Sequence, residues 1–476
     1  MKLTVTRART PRDLYATGSD LIDVEVCDGV IAAIRPSGGQ VAGRVLDADG
    51  ATILPGLWDA HVHLAHHAMV ASAIDVSGTD SAEATVAILE REAARRPGEI
   101  LLGFGFRAGG WGDPPSASLL DAVTSQPIAL ISGDAHSFWA NTAGLALAGF
   151  AGHPSGFLVE HEAFAAQVQL MDAAADHIDE AVRSVSLAAA RRGVVGVVDM
   201  QMGWTIGAWR RRAATPPPLK VLAAIYPDDL DRAVTSGLRS GDRIAERVWV
   251  GPLKIIADGS LHSRTALCTD EYPDPLPHLP HGQANYDQSE LERLLGVAAG
   301  HGLDVAVHAI GDLAVTRVLD AFAATGARGS VEHAQFVTPA NISRFAHLGV
   351  AASAQPAHLL DDAGSLDDIW PGAGGQAFPL RSLLDAGATL RFGSDAPVAP
   401  LDPWLAMDAA VNRTHHPEQS ITPGEAILAS VRSSLAVGQP ADLILVDAPT
   451  EALAEGRFGA VQVMATILDG AITFAN

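Results

Sequence analysis

Apolar positions along the chain fall into short, nearly continuous runs separated by longer stretches with helical periodicity. The runs Ile53–Leu64, Val194–Met200, Leu219–Ile225, Val250–Ala257, Leu303–Ala309, Ser330–Phe336, Val350–Gln355 and Thr389–Gly393 read as strands. Helical patterns follow three of them, over Asp312–Ala324, Pro339–Leu348 and Pro379–Ala386. Strands that are apolar throughout are buried on both faces, the situation of an all-parallel sheet covered by helices. Repeated βα units of this kind predict an α/β fold, a (β/α)8 TIM-like barrel.

The two ends follow another rule. Leu21–Cys27 and Val30–Arg35 alternate with period two around Asp28-Gly29, a dipeptide suited to the positive φ angles of a tight hairpin. Asp442–Asp447 reads as a strand, and Val461–Leu468 passes through Asp469-Gly470 into Ala471–Phe474. Residues 1–55 and 436–476 are therefore expected to pair into one small sheet domain, a β-sandwich, with the barrel spanning 56–435. Residues 70–185 interrupt the repeat with a helix at Ser81–Arg96 and strands at Glu99–Phe106 and Pro127–Ser132. That is far longer than a βα loop of roughly 2–6 residues. It reads as a subdomain inserted after strand 1 on the C-terminal face, a lid or a wall of the substrate pocket.

Composition narrows the class. Of 476 residues, 48% are hydrophobic and 18% charged, which describes a well-buried globular enzyme. The net charge of −23 opposes a nucleic-acid partner, whose phosphates need a basic footprint. It suits a neutral or cationic small molecule. Cys27 and Cys268 form neither a disulfide framework nor a CxxC metal motif. The start of the chain lacks an apolar signal core, and no uncharged apolar run is long enough for a bilayer. The expectation is a cytoplasmic protein without membrane partners, with a homodimer left open.

The chemistry starts at Pro55-Gly-Leu-Trp-Asp-Ala-His61-Val-His63. Residues two apart in a strand point the same way, so both imidazoles converge. An ordinary strand that carries two histidines is the competing reading, and this motif alone scarcely beats it. The later strands shift the balance. DVAVHAIGD puts His308 at a strand end, with Asp312 placed to cap the next helix; SVEHAQ does the same for His333, and TLRFGSDAPV for Asp395. Lys254 lies within the apolar strand LKII, which is costly unless the amine is paired or discharged. Packing alone does not explain such a set of strand ends.

The segments GLWDAHVHL, KIIADGS, VHAIGD, VEHAQ and FGSDAPV resemble the signature segments of the amidohydrolase superfamily. They are closest to its amidohydrolase-3 branch of YtcJ-like and N-substituted formamide deformylase-like proteins. DVEVCDGVIAAI and GQPADLILVD resemble that family's small β-sandwich, so nearly the whole chain is covered. The resemblance implies a hydrolase of non-peptide C–N bonds in amides, N-formyl or N-acyl compounds or cyclic amides. It implies two Zn2+, one on His61, His63 and Asp395 and one on His308 and His333, bridged by carbamylated Lys254. A metal-bridging hydroxide would attack the carbonyl, with Asp395 as acid–base catalyst.

Other positions carry weaker implications. His136 and Glu160 match family positions near the substrate, against loop residues with local hydrogen bonds as the alternative. His262 stands where relatives usually have glycine and adds an imidazole to the site. Arg264 is a candidate for a substrate carboxylate, or for a salt bridge at the barrel rim. Trp111, with Trp139, is a candidate for the pocket wall or for core. His66, His67, His415 and His416 read as solvated or structural. Ile421–Ala441 is shorter than in relatives, which implies a trimmed last helix. Two other readings stand beside the first: a deaminase of the same fold with one Zn2+ or Fe2+ and unmodified Lys254, and a non-catalytic binding barrel. The sequence contains no HExxH, P-loop, GxSxG or convincing GxGxxG segment.

Overall fold

The structure is a computed structural model that describes all residues except 1, 12–20, 42, 109–110, 134–136, 160, 365 and 371–375. It divides into two compact units, one of Met1–Leu64 with Ser186–Asn476 and one of Ala65–Val185.

The first unit holds eight parallel strands: β1 Leu57–Val62, β2 Val194–Asp199, β3 Lys220–Ile225, β4 Val248–Ile256, β5 Val305–Ala309, β6 Gly329–His333, β7 Ala351–Ala354 and β8 Leu390–Phe392. Each pairs with its successor in the parallel sense. Backbone hydrogen bonds from Asp395 N–H to His61 O (2.7 Å) and from His63 N–H to Ala396 O (3.0 Å) join the last strand to the first. The barrel expected from the apolar runs is present, and it closes just where the candidate ligands lie.

Helix ends carry the expected caps. Asp287 and Glu290 form a capping box at the start of Gln288–His301, and Gly302 closes it in the left-handed conformation. Asp312 does not cap its helix as expected. Gly311 takes that position, and the Asp312 carboxylate instead accepts from Thr269 N–H (2.9 Å) and Thr269 Oγ1 (2.6 Å), tying the β4 loop to the helix after β5. The last helix of the barrel is short, Pro423–Ala429, yet Ser430 O still receives Trp58 N–H (2.7 Å), so its length does not open the barrel.

The terminal segments form two four-stranded sheets, the two layers of the expected β-sandwich. Val30–Pro36, Ile22–Cys27, Lys2–Ala8 and Arg44–Asp47 make the first; Ala471–Ala475, Val463–Leu468, Leu443–Val446 and Thr52–Pro55 make the second. Leu3, Val24 and Ile31 from one and Ile53, Leu443 and Ile467 from the other share a single buried core. Asp28-Gly29 and Asp469-Gly470 turn their hairpins with positive φ throughout (49°, 82°, 51° and 75°).

The run Ile53–Leu64 is thus two strands in two sheets. Gly56 marks the break: a Cβ there would lie 2.3 Å from Val195 Cγ1, so only glycine lets the chain pass from sandwich to barrel this close to β2.

The second unit contains a five-stranded sheet, ordered Phe157–Val159, Ser137–Ala140, Ile128–Ser132, Leu101–Phe106 and Ile74–Asp75. The helix Ala82–Arg95, capped by Ser81, belongs to it. Cys27 and Cys268 are free thiols, and no helix among the described residues is long and apolar enough to cross a membrane.

Candidate metal centre

His61 lies in β1 and His63 one residue past its end. The backbone pairing with the segment after β8 brings Asp395 to both: His63 Nε2 is 3.3 Å and His61 Nε2 3.5 Å from Asp395 Oδ1. Gly393 permits this approach, because a Cβ there would stand 2.6 Å from His61 N. Buried Asp59 ties the same seam, accepting from His61 N–H and Ser394 N–H at 3.0 Å each. Burial raises its carboxyl to about 6.

His61, His333 and Asp395, all buried, each place a ligand atom within 4.8 Å of the others. Two of the three have left-handed backbone, His333 at φ 69° and Asp395 at φ 56°. Such values cost a non-glycine residue of order 1 kcal/mol or more and concentrate at functional sites. Here they turn each side chain where its strand runs into its loop. The His333 ring centroid is 5.1 Å from that of His61 and 4.4 Å from that of His308. His308 Nε2 faces Gly259 O (3.0 Å) and Asp258 Oδ1 (3.3 Å). Asp258 in turn receives the N–H groups of Leu267 (2.9 Å), Ile310 (3.1 Å) and Gly311 (2.9 Å), which holds the β4 and β5 loops together.

Electrostatics favour electron-pair donors over bound protons. Burial, then the charge of Lys254, pushes His61 down to about 4, and burial with His308 takes His333 well below the usual histidine range. Neutral His61 has its Nδ1 2.7 Å from Glu332 Oε2. Donation of Nδ1–H to that carboxylate leaves the Nε2 lone pair facing Asp395. Burial alone would raise Glu332, but the His61 hydrogen bond and nearby charges win and hold it near 2. Ser330 Oγ donates to its other oxygen. Burial likewise opposes ionisation of Asp395, and His61 and His63 overcome it, keeping the group well below the ordinary carboxylate range.

Lys254, 1% exposed in β4, has no hydrogen-bond partner for Nζ. Burial lowers its pKa against the pull of Glu332 and Asp395. His333 Nδ1 is also without a partner. A buried, unpartnered amine, an orphaned imidazole nitrogen and a converging carboxylate fit a divalent-cation site. The residues present fit a metal.

The remaining described candidates have partners of their own. His262 Nε2 contacts Asp362 Oδ1 at 2.8 Å and remains 56% exposed. The Arg264 guanidinium holds Asp274 through its backbone oxygen (2.8 Å) and carboxylate (2.5 Å). Trp111, in the second unit, packs on Phe106 and Trp139 and lines a cavity of about 740 Å³ with Arg107, Pro114 and Phe157. Trp139 is fully buried and donates its indole N–H to Ser116 O. His136 and Glu160 lie outside the described residues.

Sequence reasoning missed four neighbours of the centre: Glu332, Asp258, Tyr226 and His358. His358 Nε2 stands 3.9 Å from Asp395 Oδ2 and has no hydrogen-bond partner. Tyr226 is held to Met200 O (2.8 Å), and burial, with Asp395 and Asp199, raises its pKa. A signal for Glu332 existed: in Ser330-Val-Glu332-His333 it directly precedes a candidate ligand and shares a strand face with Ser330.

The chain is similar to known proteins. A crystal structure of an uncharacterized metal-dependent hydrolase from Pyrococcus furiosus superposes with a TM-score of 0.82 at 25% identity, covering 94% of this chain and 100% of that one. The N-substituted formamide deformylase of Arthrobacter pascens is 26% identical, over 97% of this chain and 98% of its own. Protein LONG AFTER FAR-RED 3 of Arabidopsis thaliana is 28% identical, over 77% of this chain and 70% of its own. The family model Amidohydro_3, described as the amidohydrolase family, matches residues 44–474. With the barrel, the strand-end histidines and this match in agreement, the chain belongs to the amidohydrolase family of hydrolases.

Proposed function

We propose that the chain hydrolyses a non-peptide C–N bond, in an amide, N-formyl, N-acyl or cyclic amide substrate, at a centre of two divalent cations. Zinc suits its imidazole-rich donor set. The observation that carries this reading is Lys254, buried, with its pKa lowered by that burial and without a partner at Nζ. In its neutral form the amine adds carbon dioxide: the N–C bond forms, one N–H proton is released to solvent, and the lysine becomes an anionic oxygen donor. His61, His63 and Asp395 would hold one cation, His308 and His333 the other, with the Lys254 carbamate between.

When bound, such cations lower the pKa of a water molecule and polarise the scissile carbonyl. Asp395, kept ionised by the histidines beside it, accepts a proton from the attacking water and returns it to the leaving nitrogen. Glu332 keeps the His61 lone pair on Nε2 throughout. Similarity to the N-substituted formamide deformylase supports the N-formyl option among the substrates.

One observation favours a second reading, a deaminase with one cation. Among the described residues, only His61, His333 and Asp395 meet within a single ion's reach. Assays of the zinc-reconstituted chain separate the two. Release of formate or another carboxylate from N-formyl amines or N-acyl amino acids, or ring opening of cyclic amides, lost in Lys254→Ala, is the expected result. Ammonia release from amino-heterocycles that survives Lys254→Ala would overturn it.

A further inference from the structure

The barrel has a second opening, at the end away from the histidines. A cavity of about 440 Å³ is lined there by Val250, Val305 and Gly329, near the starts of β4, β5 and β6. Its polar lining includes Ser353, Glu332, Arg391 and Arg432. Strand register explains how these residues meet. His308 pairs with Glu332, Glu332 with Ser353, and Ser353 with Arg391 across β5, β6, β7 and β8. Barrel strands are tilted and staggered, so one row of paired residues runs from the metal end toward the floor.

The floor holds more positive charge than it satisfies. Among the described residues, neither the Arg391 nor the Arg432 guanidinium makes an ion pair or hydrogen bond. Arg432 lies over the Trp58 ring, 4.4 Å from its centroid. Burial, then the charge of Arg391, pushes Arg432 down to about 10, so the two cations feel each other in a confined space. The charge of Glu332 offsets part of this, but both its oxygens bond other groups, His61 and Ser330, so neither guanidinium pairs with it. Arg328 at the rim is held by Asp304 (3.3 Å). Ser353, 1% exposed, lines the same cavity with its hydroxyl unpartnered.

Two unpaired guanidiniums and a buried, unpartnered hydroxyl on one cavity form a site for an anion. We infer that the floor of the barrel binds a small oxyanion, with Arg391 and Arg432 as charge-assisted donors and Ser353 Oγ as a third. Guanidinium presents a planar fork that matches the oxygens of a carboxylate or a phosphate. The volume admits either, together with ordered water. Glu332 stands between this site and the histidines, so it is separate from the centre described above.

Calorimetric titration of the full chain with sodium phosphate, sulfate and acetate, each against sodium chloride at equal ionic strength, tests the inference. The component assigned to the floor is the one weakened by Arg391→Gln. Saturable binding of at least one oxyanion is expected, weakened about tenfold by Arg391→Gln or Arg432→Gln. Ser353→Ala weakens it less, and the comparison of acetate with phosphate identifies the anion geometry. Should Arg432→Gln fail to fold by circular dichroism, Ser353→Val, which places a methyl group at the hydroxyl, serves as the second variant and gives a comparable loss. Identical titrations for wild type and Arg391→Gln, or heats that follow ionic strength without saturation, would overturn the inference.

Discussion

His61 and Glu332 meet at 2.7 Å between Nδ1 and Oε2, each side chain 1% exposed. The pair connects two parts of the fold, since β1 supplies the imidazole and β6 the carboxylate one residue before His333. It decides which nitrogen of His61 is free to bind a cation. Glu332→Gln, which keeps an acceptor but loses the charge, is expected to weaken metal binding about tenfold; Glu332→Ala approaches about a hundredfold. Chelator competition with a zinc indicator measures this, and unchanged affinity in both variants would remove Glu332 from the account.

The buried histidines give the metal-free chain a defined acid sensitivity. His61 titrates near 4 in the folded chain against 6.5 as its ordinary value, so between those pH values the unfolded chain binds a proton that the native one refuses. Stability therefore falls as pH falls through this window, by up to roughly 1.4 kcal/mol per pH unit from this group. Asp59, raised to about 6, acts in the opposite sense below that pH, because its native form holds the proton more tightly. Glu332 and Asp395 are lowered, so their contributions fade only below their ordinary values of 4.5 and 3.8. Urea denaturation from pH 4.5 to 6.5 should give a steeper slope for wild type than for His61→Asn. Equal slopes would mean that His61 is charged in the native chain.

Gly393 tests the seam of the barrel. An added Cβ meets His61 N at 2.6 Å and Asp59 Oδ1 at 3.1 Å, both held by hydrogen bonds and unable to move aside. Gly393→Ala is expected to cost about 1–3 kcal/mol. It also displaces Asp395 from the histidines, so activity should fall further than stability alone predicts. A variant as stable and active as wild type would show that the seam tolerates a methyl group.

His358 differs from the ligands in its expected response. It stands 3.9 Å from Asp395 Oδ2 without a hydrogen bond, which suits a group that steadies a proton-carrying carboxylate. His358→Asn should lower kcat about a hundredfold while bound metal stays at the wild-type level. Loss of metal in parallel would make it a ligand instead.

The barrel was legible because its strands are apolar on both faces, and His61, His63, Lys254, His308, His333 and Asp395 because each interrupts or ends such a run. What was hidden depends on position in space. The break at Gly56 is invisible in an apolar run, since it is set by how closely Val195 approaches. Glu332 reads as an ordinary polar residue until β1 is placed across from it. Asp312 carries the signature of a helix cap, and its role came from Thr269 in a loop 43 residues away. His358 follows a short strand in a segment without periodicity, so only the fold brings it to Asp395.

The central claim is that Lys254 makes the centre binuclear. Metal content per chain, by inductively coupled plasma mass spectrometry on wild type and Lys254→Ala reconstituted with zinc and bicarbonate, tests it most directly. The account predicts about two equivalents in wild type and a clear loss in the variant. One equivalent in both proteins would contradict it and leave the single-cation deaminase in its place.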